Sequence, residues 1–133
     1  MAKPTDSDVP PKPVRWVGSS KNDLSAFPAD VRRRVGGGLW DAQRGIKAPF
    51  AKPLRGFGGA GVLEIIDDYD GNTFRVVYTV SFAGVVYVLH AFQKKSKRGA
   101  GTPKFELDLI NRRLKRARED HVTWRGSEKA KSR

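Results

Sequence analysis

The 133-residue sequence contains no cysteine, which excludes a disulfide framework and any thiolate metal site. Its two histidines, His90 and His121, are far apart, and no cluster of residues has metal-ligand spacing, so neither a metal nor another cofactor is expected. Long apolar runs are missing as well. The longest falls around Val85–Leu89, far short of the roughly 20 residues a membrane-spanning helix needs, and no charged-then-apolar leader opens the chain. The cytoplasm is the expected compartment, with no membrane partner. Negative charge is also scarce: 14 Asp and Glu face 26 Lys and Arg, giving a net charge of +12. The excess is uneven, because residues 91–133 hold 14 basic and 5 acidic side chains. A basic pole of this kind attracts a polyanion, either nucleic acid or an acidic protein surface.

The length suits one domain with tails. Prolines 4, 10, 11 and 13 deny residues 1–13 a helix or a central strand, so a disordered tail is expected there. Val14–Val17 reads as a short strand, and Ser19 or Ser20 as the cap of a brief helix reaching Ala26. Pro28 suits a first helical turn. From it Val31, Val35, Leu39 and Ala42 recur at helical spacing up to the stop at Gly45. Gly36-Gly37-Gly38 weakens that helix but permits a close approach to another element. Residues 46–60 read as a loop. Val62–Ile66 begins the main sheet, and Asp70-Gly71-Asn72 is a hairpin turn. Thr102-Pro103 reads as the cap and first position of a last helix, which ends near Asp120. Phe105, Leu109, Ile110, Leu114 and Ala117 form its buried side, and Arg112, Arg113, Lys115, Arg116 and Arg118 the remainder. Its cations either complement the helix dipole or bind an anion. Residues 121–133 are expected to be a basic flexible tail, leaving 14–120 as the domain. The fold class is α+β, with an N-terminal strand and a three-strand meander packed against two N-terminal helices and one C-terminal helix.

The central stretch runs from Phe74 to Lys95. Phe74–Val80 and Val85–Phe92 are rich in β-branched and aromatic residues and form an antiparallel hairpin. Strand alternation puts Phe74, Val76, Tyr78 and Val80 on the core face, and Arg75, Val77 and Thr79 on the other. A guanidinium in mid-strand requires an anionic partner, either a carboxylate, with Glu64 the nearest candidate, or a phosphate. The second strand runs into Gln93-Lys94-Lys95-Ser96-Lys97-Arg98, which puts four cations at the sheet's end.

Leu39 to Gly45, Lys52-Pro53-Leu54-Arg55-Gly56, Leu63-Glu64, Phe74-Arg75-Val76-Val77-Tyr78 and Leu89-His90-Ala91-Phe92-Gln93-Lys94-Lys95, followed by Thr102-Pro103, appear in this order and spacing. Over about Val14 to Asp120 the chain resembles the RelE/HigB-like toxins of type II toxin–antitoxin systems, most closely the phage-derived HigB-like branch. The resemblance implies a microbial-RNase-like fold and cleavage of messenger RNA, commonly on the ribosome. It also implies neutralisation by an antitoxin, a small helix-turn-helix DNA-binding protein.

RNA cleavage needs a base for the ribose 2′-hydroxyl, cations for the charged phosphorane and an acid for the leaving 5′-oxygen. Arg75, with its permanent charge and planar fork, suits the phosphate. Lys94 and Lys95 suit phosphate binding or proton transfer. His90 titrates in a suitable range, although the strand parity it shares with Val86, Val88 and Phe92 points to a structural role. Lys52, Arg55, Lys97, Arg98, Lys104, Arg112 and Arg116 are the candidates for holding the RNA backbone. The sequence departs from many relatives at Ile66, where an arginine is common. Two other functions fit the scaffold: inhibition of DNA gyrase, as in ParE-like toxins, and non-catalytic nucleic-acid binding.

Overall fold

The computed structural model describes residues 10–58, 61–94 and 101–131, with side chains up to Gly126. Lys95, Lys97 and Arg98, and residues 1–9 of the expected N-terminal tail, lie outside the described residues. The elements in chain order are β1 (Val14–Trp16), α1 (Ser20–Ser25), α2 (Ala29–Gln43), β2 (Ala51–Pro53), β3 (Val62–Tyr69), β4 (Asn72–Thr79), β5 (Val86–Lys94) and α3 (Lys104–Lys131). One five-stranded sheet has the order β1-β5-β4-β3-β2, with β1 parallel to β5 and every other pair antiparallel. This is the expected α+β arrangement with one addition: Ala51–Pro53, read as loop, pairs with Leu63–Ile65 as an edge strand. Three residues are too few to show a period, and Pro53 is tolerated at an edge because no further strand needs its N–H.

The sheet is covered on both faces. Val31, Val35, Leu39 and Ala42 carry α2 onto Ile65, Phe74, Val76, Tyr78, Val86, Val88 and Ala91. Ile110, Leu114 and Ala117 carry α3 onto Val62, Val77, Val85, Tyr87 and Leu89. The glycine run stays helical, and only one of its members needs to be small. A Cβ on Gly38 would lie 2.8 Å from Ile65 Cδ1, whereas one on Gly36 or Gly37 would meet nothing within 4 Å. The β3–β4 turn is the two-residue kind, with Tyr69 opposite Asn72 and positive φ at Asp70 (52°) and Gly71 (78°).

Polar anchors dock α3. Arg15 gives two hydrogen bonds to Asp120, at 2.6 and 2.9 Å, and the Tyr87 hydroxyl donates to the same carboxylate at 2.6 Å. Arg113, expected on the outer face, is buried and donates to the Leu89 carbonyl (2.9 Å) and the Ser19 hydroxyl (3.0 Å). Glu106 meets His90 Nε2 at 2.5 Å. Phe105, expected on the buried side, is instead 69% exposed. The helix also runs past its expected end at Asp120, so the residues up to Lys131 are helical rather than a flexible tail. No helix breaker intervenes before Gly126. His121 Nε2 lies 2.9 Å from the Ala83 carbonyl, and Trp124 stacks on His121 beside Gly84, tying this stretch to the β4–β5 turn.

Burial lowers the His90 pKa below its ordinary 6.5, opposed by Glu106 and reinforced by Arg113. Arg113 Nη1, which can only donate, faces Nδ1 at 3.3 Å, so the ring proton of the neutral form sits on Nε2 and points at Glu106. The unfolded chain therefore takes up this proton first as pH falls. The stability contributed by His90 is fully present above pH 6.5 and is lost below it.

Two predictions follow from this packing. Gly36→Ala and Gly37→Ala should each raise stability by about 1 kcal/mol in urea unfolding. Gly38→Leu should lower it by about 1–3 kcal/mol, and an equal response at all three positions would refute a close helix–sheet approach at Gly38. Denaturation at about pH 7.5 and about pH 5.5 should show a smaller acid loss for His90→Gln than for wild type; identical losses would remove His90 as the titrating group.

Candidate nucleic-acid site

One face of the sheet, the α3 face, gathers the charged residues. Register puts Lys52 opposite Glu64, Glu64 opposite Val77, and Ile66 opposite Arg75, which has Phe92 on its other side. Arg75 thus stands between two apolar side chains. Its side chain is 12% exposed, and Nη1 lies 3.2 Å from Glu64 Oε2 and 3.2 Å from Thr102 Oγ1. The Arg75 Nε is buried and has no hydrogen-bond partner among the described residues. Lys94 is 7% exposed, and its ammonium donates to the Gly101 carbonyl at 2.5 Å. Lys52 reaches the outer side of Glu64 at 4.0 Å.

Burial is the main cause of a lowered Lys94 pKa, the Arg75 charge adds to it, and Glu64 opposes it. Burial and a nearby permanent cation both disfavour the charged form of a lysine. The result is a fixed cation and an amine of lowered basicity on one strand pair, with a carboxylate behind the fixed cation.

His90 reaches this face by a route that alternation does not predict. Val77 pairs with His90 while Tyr78 pairs with Val88, so Leu89 is an extra residue, a β-bulge in β5. The bulge breaks the parity expected between His90 and Val86 or Val88. Those two valines pack against α2, whereas His90 stacks on Phe92 (ring centroids 4.7 Å apart) under α3. Both ring nitrogens are engaged with α3 side chains.

The other expected site residues are spread more widely. Lys52, Arg55 and Lys104 are exposed, the first beside Glu64 and the last at the start of α3. Arg112 and Arg116 are exposed one turn apart on α3. Arg116 lines a separate cleft of about 370 Å³ with Arg15, Tyr87 and Asp120. By sequence, Thr102 reads only as a helix cap. The helix instead begins at Lys104, with the Glu106 and Leu107 amides on the Pro103 carbonyl, and the Thr102 hydroxyl turns to Arg75. Arg113 and Glu106 were missed as functional partners of His90. Helical spacing held the clue for Arg113, which stands three residues after Ile110 and four before Ala117.

No curated protein matches the sequence. Among solved structures, the toxin–antitoxin complex RelBE2 from Mycobacterium tuberculosis contains a chain that matches with 20% identity and a TM-score of 0.45, over 63% of this chain and 99% of that one. The sequence matches the family described as phage-derived protein Gp49-like (DUF891) over residues 22–115, which include α2, the β2–β5 part of the sheet and the first half of α3. The chain belongs to this Gp49-like family, a family of toxins.

Proposed function

We propose that the protein is the toxin of a type II toxin–antitoxin pair and an endoribonuclease that cuts messenger RNA during translation in the cytoplasm. The observation that carries this reading is the placement of Arg75 and Lys94 together on one buried face, the second with a lowered pKa. Neutral Lys94 takes the ribose 2′ proton as that oxygen attacks phosphorus. Arg75 binds the non-bridging oxygens of the phosphorane, and its charge grows in value as water is excluded. The bond to the 5′-oxygen then breaks, leaving a 2′,3′-cyclic phosphate, and the departing 5′-oxygen becomes a hydroxyl by taking a proton from water. The nucleophile belongs to the substrate, so the step needs no metal-bound water.

His90 serves this site by position: clamped between Glu106 and Arg113, it supports Phe92, the wall of Arg75. Lys95 adds a second amine by sequence. Lys52, Arg55, Lys97, Arg98, Lys104, Arg112 and Arg116 hold the RNA backbone through phosphate contacts. The partner that restrains the toxin is a small helix-turn-helix antitoxin with an acidic surface, matching the excess of basic residues after Ala91.

Induction of wild type and Arg75→Ala in bacterial cells, with mapping of new RNA 5′ ends, tests the reading. Cuts within coding regions should fall by about 10² to 10³ in the variant, the scale for removing one preorganised transition-state donor. A loss below about threefold would sink Arg75 as a catalytic group. Growth arrest with intact messages would point to gyrase instead. With purified protein, the cleavage rate should rise with pH until Lys94 is neutral, because the base form is the active one. Lys94→Arg should abolish that rise and cost about 10² to 10⁴ in rate. An unchanged pH profile in Lys94→Arg would assign the base elsewhere.

A further inference from the structure

Arg75 and Lys94 are both buried, yet a phosphodiester has to reach both. What covers them is the chain's own oxygen atoms. The Gly101 carbonyl accepts from Lys94 Nζ at 2.5 Å, and Thr102 Oγ1 stands 3.2 Å from Arg75 Nη1. These are two oxygens on adjacent residues, one set on Arg75, which the proposed reaction assigns to the phosphate oxygens, and one on Lys94, which it assigns to the neighbouring 2′-hydroxyl. The guanidinium is not saturated by them, since Arg75 Nε stays buried without a partner among the described residues.

We infer that the Gly101–Thr102 peptide is a built-in competitor for RNA: it occupies the positions on Arg75 and Lys94 that the phosphate and its neighbouring ribose would take, and substrate binds by displacing it. This inference rests on the reading that Arg75 holds the scissile phosphate and Lys94 acts on the 2′-hydroxyl beside it. The exchange favours an anionic ligand, because a phosphate oxygen adds Coulomb attraction that a neutral hydroxyl or carbonyl oxygen does not supply. Water or a neutral ligand gains nothing by opening the site.

Displacement does not require α3 to leave the sheet. The helix is held independently, by Glu106 on His90 and by Arg113 on the Leu89 carbonyl, and its first turn closes on the Pro103 carbonyl. The moving unit is therefore the peptide before Pro103. A Cβ added at Gly101 would meet nothing within 4 Å, so no described atom packs against that side of the residue. The cost of opening appears as weaker apparent affinity, in proportion to the fraction of molecules that are open.

The test uses the full chain and a fluorescent oligoribonucleotide that is 2′-O-methylated throughout. It presents phosphates but cannot be cut, so binding is read by anisotropy without turnover. Thr102→Val removes the hydroxyl at nearly constant shape and should bind about ten- to a hundredfold more tightly than wild type, the scale of one hydrogen bond to a charged group. Thr102→Ser keeps the hydroxyl and should bind like wild type. On an Arg75→Ala background, Thr102→Val should change nothing, since the contact it releases is already gone.

Equal or weaker binding by Thr102→Val, the same gain with and without Arg75, or no binding by any of these proteins would each overturn the inference. Failure of the proposed function reads differently. Tighter binding by Thr102→Val with no cleavage of natural RNA leaves the competitor in place and removes the nuclease. Cleavage that depends on Arg75, with binding indifferent to Thr102, removes the competitor alone.

Discussion

A guanidinium in the middle strand of a sheet covered on both faces has to find an acceptor, and much of this structure follows from where Arg75 finds one. Ile66 and Phe92 stand on either side of it, so its neutralising group comes from Glu64, on the same face of the neighbouring strand. Burying such a pair does little for net stability, because desolvation takes back most of the Coulomb gain. What the pair supplies is position. A cation whose Nη1 is fixed by a carboxylate from behind cannot swing away, so its orientation is set before any ligand arrives.

The same face has to be sealed by a helix, and the helix that seals it carries much of the chain's positive charge. Its cations have divided roles. Arg113 and the Arg15–Asp120–Tyr87 cluster are fasteners to the sheet, while Arg112, Lys115, Arg116 and Arg118 remain on the outside. Complementing the helix dipole does not explain the outer group. That effect is confined to the last turn, and these residues lie in the middle of a helix that runs to Lys131. A row of like charges in mid-helix is mildly destabilising to the helix itself, which favours an external anionic partner as the reason for it.

Much of this was legible in the sequence, because strong periodic signals decided it. The α2 stripe, the hairpin strands and the Asp70-Gly71 turn stand where their residues place them. Arg75 was recognisable as a charge in a strand that otherwise reads as buried. The misreadings have distinct physical sources. One extra residue at Leu89 moves His90 to the opposite face, and nothing in a run of Val, Tyr and Leu marks a bulge. The end of α3 was placed early because polarity after His121 looks like a tail; tertiary contacts of His121 and Trp124 with the β4–β5 turn hold a stretch whose composition alone does not. Thr102 before a proline satisfies the pattern of a cap, and only the nearness of Arg75 in space assigns its hydroxyl elsewhere.

Isoleucine at position 66, where the resemblance to RelE/HigB-like toxins implies an arginine, has a physical meaning beyond a missing charge. An arginine there would stand directly opposite Arg75, adding a second permanent cation and opening the apolar wall to water. With isoleucine the site has fewer charges in a drier setting, and electrostatic energies scale inversely with the local dielectric constant. The same dryness acts differently on the two remaining cations. Arginine keeps its charge, whereas lysine responds to burial and to its neighbour with a lowered pKa. In the proposed reaction, one apolar wall therefore serves twice: it raises the value of the Arg75 charge at a phosphate and favours the neutral form of Lys94. Fewer cations, each set apart by its surroundings, provide the division of labour that phosphoryl chemistry asks of a small site.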